Sequence, residues 1–412
     1  MKIAILSSGF LPVVDGVTVA QWQRLQWLSR GGHGVLLLCP DYRSLEKIYP
    51  NWQEFTGKIL PGVKVVNLPS TSYLGIEFER NVSSAAYAIA LQELSAFQPD
   101  LIHVDEAERL SNGFLRIPGV KFAAQQGIPC VSFFHTNFVE YAEDFLPLPK
   151  PLLRGLQWLL KRWFSHVYNA YSVTLVSSRD ALQKVQRMGI RNAKLGEFLG
   201  VDTAQFHPKL RSASFFSTRS LPHLEHQVKL VFLGRLTPDK GWKFALRALT
   251  ALSREIDLTQ VAILIAGDGE MQAEIAAALG KLTPHLYMLG RISPDQVPVL
   301  LANCDIHITT SEKETRGLTI LEAFACGIPA IAPRAGGIQD SLEDGVNGLF
   351  YEPGNIADFV QKVRLLIEHP GQRQQMGSQA RSGIAEQTWD RATENLVAVW
   401  QQQIAQGKNQ CM

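Results

Sequence analysis

The chain has 412 residues, too many for one ordinary hydrophobic core, so two domains are expected. Hydrophobic residues make up 46% and charged residues 19%, a globular balance that excludes a disordered chain. The formal net charge is +2, with no arginine-rich tract or basic tail, so the footprint of a nucleic-acid partner is missing.

The N-terminus, Met1 to Phe10, reads as a strand running into a glycine loop rather than a signal peptide. No apolar run approaches the roughly 20 residues that span a bilayer. Cys39, Cys130, Cys304, Cys326 and Cys411 are scattered without metal spacing and are expected to be reduced and mostly buried. A cytoplasmic chain, or one peripheral on the cytosolic face of a membrane, is therefore expected.

Short apolar runs alternate with longer amphipathic stretches, the pattern of parallel sheets covered by helices. The first half predicts strands at Lys2–Ser7, Val35–Cys39, Val63–Leu68, Leu101–Val104, Cys130–Phe134 and Ser172–Val176. Helices are predicted at Thr18–Arg30, Ser83–Ala96, Gly113–Gln126 and Arg179–Met188. From Phe206 to Gln227 the periodicity fails, and this polar stretch reads as a linker. A second series follows, with strands at Lys229–Leu233, Val261–Ala266, Leu286–Leu289, Ile306–Thr309, Pro329–Ala332 and Gly348–Tyr351, and a terminal helix from Trp389. The expected division is an N-terminal Rossmann-like domain over 1–205, a linker over 206–227, a C-terminal Rossmann-like domain over 228–388 and a helix over 389–412 that returns to the first domain. Doubly wound units bind ligands at the carboxyl ends of their strands, so facing domains would share an interdomain cleft.

Five stretches carry chemistry. In the run from Glu314 to Glu322 two carboxylates flank Gly317 and Leu318, where a loop should become a helix. A carboxylate there can hold sugar hydroxyls while the helix N-terminus faces a negative diphosphate. The plainer reading is a solvated helix with an acidic first turn. Gly234-Arg235 and Lys240 directly follow a predicted strand, where arginine grips phosphate bidentately and lysine supplies a point charge. Two surface cations on a turn are the alternative. Gly267-Asp268-Gly269 is a glycine strand exit that a tight turn would need anyway. The loop from Gly9 through Asp15 to Gly16 ends at a helix start, and its amides either line the site or simply permit the turn. His135, followed by Thr136, Asn137 and Tyr141, stands just past a strand among hydrogen-bonding residues, which favours a functional over a structural histidine.

Farther on, Leu152, Leu153, Leu156, Leu159, Leu160, Trp163, Phe164 and Val167 share one face of a helix at 100° per residue. Arg154, Lys161 and Arg162 fall on the other, with Trp158 among them. The helix either packs its apolar face on the sheet or lies at a membrane interface.

The ordered set of motifs resembles the large family of retaining glycosyltransferases of the GT-B fold classified as family 4. The resemblance covers nearly the whole chain, including Gly200-Val201-Asp202, Ala335-Gly336-Gly337 and Asp344-Gly345. It implies two facing α/β domains and a nucleotide-sugar co-substrate, UDP-sugar favoured, with hexose transfer at retained anomeric configuration. Arg235 and Lys240 would neutralise the diphosphate, Glu314 the donor sugar and Glu322 the ribose; Gly290 and Arg291 would border the base, and His135 the transferred sugar. With no DxD sequence, no obligatory metal is expected. Members that glycosylate membrane lipids carry a similar aromatic-basic helix, so the acceptor is expected to be a lipid at an anionic membrane surface, with a soluble saccharide or polyol, or epimerisation of the nucleotide sugar, as alternatives. Arg316 departs from the family, which usually has an aromatic residue there; it either pairs with Glu312 or Glu314 or touches an acidic group of the donor.

Overall fold

Strands that read as continuous apolar runs are those covered on both faces, and the computed structural model, which describes residues 1–73, 76–136, 140, 149–219 and 221–410, assembles them into two parallel sheets. Two compact units result. One comprises 1–139, 149–199 and 389–412; the other comprises 140–148 and 200–388.

The first unit is built on β1 (Lys2–Leu6), β2 (Gly34–Pro40), β3 (Gly57–Leu60), β4 (Val63–Leu68), β5 (Ser70–Tyr73), β6 (Ile76–Val82), β7 (Leu101–Asp105), β8 (Cys130–Phe133), β9 (Val173–Val176) and β10 (Ala193–Leu195). Eight of these form a sheet in the order β10-β9-β8-β7-β1-β2-β4-β3, parallel except for β3 against β4. Its helices include α1 (Gly16–Arg30), α2 (Ala86–Phe97), α3 (Ala107–Phe114), α4 (Val120–Gln126), α5 (Lys150–Tyr168) and α6 (Arg179–Arg187). The chain runs outward from β1 through β2 and β4, then returns to place β7 on β1's other side. The strand order therefore reverses between β1 and β7, and their carboxyl ends border the crevice where such sheets take ligands.

In the second unit β11 (Val228–Leu233), β12 (Val261–Ala266), β13 (Leu286–Gly290), β14 (Ile306–Ile308), β15 (Ala330–Pro333) and β16 (Gly348–Tyr351) form an all-parallel sheet, β13-β12-β11-β14-β15-β16. Here the order reverses between β11 and β14. Around it lie α7 (Trp242–Leu252), α8 (Gln272–Leu279), α9 (Gln296–Ala302), α10 (Leu318–Ala325), α11 (Ile356–Glu368) and α12 (Pro370–Ile384). The last helix, α13 (Trp389–Gln410), packs on α1 in the first unit and buries Trp400 completely.

Several expectations need correction. The stretch over 206–227 packs into the second unit, with Phe206, Phe216 and Leu224 in its core and the Arg211 guanidinium 2.6 Å from Asp305. Polar irregular sequence there reflects short 3-10 turns rather than a free tether. The predicted helix Gly113–Gln126 is two helices: Leu115 adopts a left-handed conformation, and Pro118 with Gly119 at φ +76° restarts the chain. The strand β5 and the short β3 and β10 went unpredicted because none of their side chains is fully buried, so no apolar alternation marks them. Four cysteines, Cys39, Cys130, Cys304 and Cys326, are buried and unbridged; Cys411 lies outside the described residues.

Candidate active site

In the second unit the two strongest sequence motifs meet because β11 and β14 are hydrogen-bonded neighbours. Arg235 and Lys240 leave β11, Glu314 leaves the loop after β14, and Lys240 Nζ lies 2.6 Å from Glu314 Oε1. The loops are locked together by backbone proximity. Thr310 Oγ1 donates to the Lys240 carbonyl at 2.9 Å, and a Cβ on Gly241 would fall 2.1 Å from the Thr310 oxygen. On the other side, Gly337 N donates to the Glu314 carbonyl at 2.7 Å, an approach that leaves no room for a side chain at Gly336.

Burial by itself would raise the Glu314 carboxyl; the charge and hydrogen bond of Lys240, helped by Arg235, hold it below its ordinary value. The Arg235 guanidinium, 42% exposed, lies 3.2 Å from Asp239, a partner absent from the sequence reading. Glu322 sits one turn inside α10, is half-buried, and burial pushes its carboxyl up to about 8. Gly317 caps that helix at φ +76°, directly before Leu318. Beneath it, burial brings His307 down to about 4, so its ring is neutral and joins the Val231 carbonyl (3.3 Å) to the Thr319 hydroxyl (3.2 Å). Arg316 is buried and donates to Gln387 Oε1 at 3.0 Å, a partner not anticipated from sequence.

The glycine exits of β11, β12 and β13 are laced together. Gly234 N donates to Ala266 O at 3.0 Å and Gly267 N to Gly290 O at 2.8 Å. Gly234 and Gly290 have positive φ and open space where a side chain would project. Arg291, beside Gly290, is half exposed and 3.5 Å from Asp268. Together these residues make a rim of three cation–carboxylate pairs at the carboxyl end of the sheet, suited to a polar anionic ligand.

In the first unit His135 is buried just beyond β8, stacked on Phe133 with centroids 4.0 Å apart, and its Nε2 is 2.7 Å from Asp105 Oδ1. Thr136 donates to Glu106 Oε1 at 2.5 Å, and Ser8 bonds the other oxygen of the same carboxylate. Glu106 adopts φ +51°, a conformation that non-glycine residues seldom hold without a reason. Asp105 and Glu106 were missed in the sequence, although an acidic pair directly after a predicted strand was the available signal.

Asp15 caps α1, accepting from the Val17 and Thr18 amides at 2.8 Å. Those two amides are thus already occupied, and so are those of Phe10, which donates to the Tyr42 hydroxyl, and Asp15, which donates to Thr18 Oγ1; Gly16 holds the first helical position. Asn137 and Tyr141 lie outside the described residues. On α5, Arg154, Lys161 and Arg162 are exposed together with Trp158 at 57%, and Arg162 lies over the Trp158 ring at 5.2 Å. The apolar face is narrower than its periodicity implied: Leu152 and Leu159 are 62% and 58% exposed, and only Phe164, Val167 and Tyr168 are buried.

Two parallel-sheet units, each with its polar cluster at a switch point, define a glycosyltransferase of the GT-B fold. Residues 14–196 match the model of Glycosyltransferase Family 4, and residues 215–383 match that of Glycosyl transferases group 1. The chain belongs to glycosyltransferase family 4. It is 28% identical to a GDP-mannose-dependent alpha-mannosyltransferase of Corynebacterium glutamicum, covering 98% of this chain and 90% of that one. To an alpha-monoglucosyldiacylglycerol synthase of Streptococcus pneumoniae it is 23% identical, over 85% of this chain and 75% of that one. HepE of Anabaena, solved in complex with UDP, shares the fold with a TM-score of 0.72 at 19% identity, covering 98% of this chain and all of that one.

Proposed function

We propose that this enzyme transfers a hexose from a nucleotide-diphosphate sugar to a hydroxyl of a membrane lipid, with retention at the anomeric carbon. The observation that carries the reading is the Lys240–Glu314 pair beside Arg235 at the β11–β14 switch point. On donor binding, the diphosphate competes with Glu314 for Lys240 and with Asp239 for Arg235. Both cations then offset the charge that develops as the glycosidic bond to phosphate breaks. Glu314 accepts hydrogen bonds from the sugar, Glu322 from the ribose, and Gly290 with Arg291 borders the base. No carboxylate is assigned as a nucleophile. Retention follows instead from front-face attack through an ion pair, the departing phosphate taking the acceptor's proton. His135, in the first unit, meets a hydroxyl of the transferred sugar.

A UDP-hexose is the first donor reading. GDP-mannose is the second, favoured by the mannosyltransferase relative that spans almost the whole chain. The lipid acceptor is supported by the exposed Trp158, Leu152 and Leu159 beside Arg154, Lys161 and Arg162, a surface fit for an anionic interface. The diacylglycerol-glycosylating relative is in keeping with it. One experiment tests donor and acceptor together. The protein is incubated with vesicles of anionic lipid and diacylglycerol plus UDP-glucose or GDP-mannose, floated, and its products analysed. The expected result is co-flotation and an α-linked glycolipid, with flotation lost in the Trp158→Ala, Lys161→Glu, Arg162→Glu triple variant. Sugar transferred only to soluble polyols, by protein that stays with the unbound fraction, would replace the lipid reading.

Glu322 gives the pH dependence a sign. Its carboxyl stands at about 8 when unoccupied, and ribose hydroxyls donating to it favour the ionised form. Binding then releases a proton below that value, so nucleotide affinity should rise between pH 6 and about 8 and level off above. Calorimetry across that range checks this, and Glu322→Gln should flatten the curve.

A further inference from the structure

The buried polar cluster of the first unit is an ordered chain of donors. Trp400 Nε1 lies 3.2 Å from His103 Nδ1. An indole N–H only donates, so His103 Nδ1 accepts and its proton resides on Nε2. That N–H points to Asp105 Oδ1 at 3.1 Å. The same oxygen receives His135 Nε2 at 2.7 Å, while Arg24 Nη1 gives its two protons to Asp105 Oδ2 at 3.0 Å and Gln21 Oε1 at 3.1 Å, leaving none for His103 Nε2, which lies 3.1 Å from it. Arg24, His103, Asp105 and Trp400 are each at most 3% exposed, and His135 is 8% exposed. With Arg24 balancing Asp105, the cluster is electroneutral when both imidazoles are uncharged.

We propose that Asp105 is the positioning residue of His135, fixing the imidazole proton on Nε2 so that Nδ1 accepts from a hydroxyl of the transferred sugar. The inference rests on the role given to His135 above. Two independent constraints define the ring: stacking on Phe133 sets its plane, and the Asp105 bond sets its rotation and tautomer. Burial would raise the Asp105 carboxyl, but Arg24, His103 and the hydrogen bonds from both histidines hold it well below the usual range, so it accepts at every working pH.

Asp105→Asn reverses this logic. The Arg24 cation draws the amide oxygen to itself and turns the amide N–H group toward the imidazoles, so that His103 gives up its Nε2 proton and with it the bond from Trp400, and His135 is obliged to carry its proton on Nδ1. The measurement is the tautomer of His135 in full-length protein labelled with 15N-histidine, assigned with a His135→Gln variant, alongside steady-state kinetics. Wild type should show a protonated Nε2 and a bare Nδ1. Asp105→Asn should show the opposite tautomer, with kcat lowered about 100-fold and donor KM within about twofold. Adding Arg24→Met removes the cation that directs the amide. The double variant should regain the wild-type tautomer and at least tenfold in kcat.

A bare Nε2 in wild-type His135 overturns the proposal even if no variant folds. A large loss in His135→Ala, with neither tautomer nor kcat moved in Asp105→Asn, overturns the positioning alone. His135→Ala transferring at the wild-type rate removes the imidazole from the reaction and overturns both readings.

Discussion

Lys240→Ala should lower kcat for sugar transfer by about 1000-fold, equivalent to about 4 kcal/mol of transition-state stabilisation. The ammonium sits where β11 and β14 diverge, partly shielded from solvent, and is already oriented by the Glu314 carboxylate. A preorganised cation of this kind acts most on charge that appears as the leaving group departs, so the loss should fall on kcat more than on donor KM. Glu314→Gln removes the partner that aligns it and a contact to the sugar, and about 100-fold is expected. Neither change empties a core, because both side chains are about one-quarter exposed and the pair spans loops held by Thr310 and Gly337. Melting temperature should therefore move by only a few degrees. If both variants transferred sugar at the wild-type rate, the donor phosphate would have to bind elsewhere.

The second large effect is on stability. Gly267→Ala would place a methyl group 1.8 Å from the Gly234 carbonyl oxygen, at φ +148°. Neither atom has room to retreat, since Gly267 is tied to Gly290 and Gly234 to Ala266 by backbone hydrogen bonds. A loss of about 3 kcal/mol or more is expected, lowering the second unit's transition by roughly 10 °C. Gly290→Ala is the internal comparison. Its φ is also positive, but the space above it is open, so about 1 kcal/mol is expected from backbone conformation alone. Thermal unfolding followed by circular dichroism separates the two, and equal losses would mean that the strand exits are not in close contact.

Much of the second unit's site was legible because its chemistry is local. Glycine, arginine and lysine follow one strand within a few residues, and the two glutamates bracket one helix start. Their distance from each other could be inferred only through the sheet, which makes β11 and β14 neighbours. The first unit's cluster was illegible for the opposite reason. Arg24, His103, Asp105, His135 and Trp400 come from α1, β7, the loop after β8 and α13, and no local pattern unites them. Arg24 in particular sits in a helix rich in polar residues with no local mark of burial, yet it is 3% exposed. The α5 helix shows a further limit. A 3.6-residue period says which face is apolar, but it does not say how far along the helix a neighbour extends to cover it, and here full burial is confined to residues 164–168, with Leu160 and Trp163 partly covered.

The position of Trp400 has a bearing on biosynthesis. It is made long after β1, yet it fills the core of the unit to which β1 belongs. During translation that unit must wait, its α1 groove bare and His103 without its indole, until residues 389–410 have left the ribosome, whereas residues 200–388 are complete earlier. A nascent chain halted near residue 388 would consequently carry its defect in the half that was synthesised first.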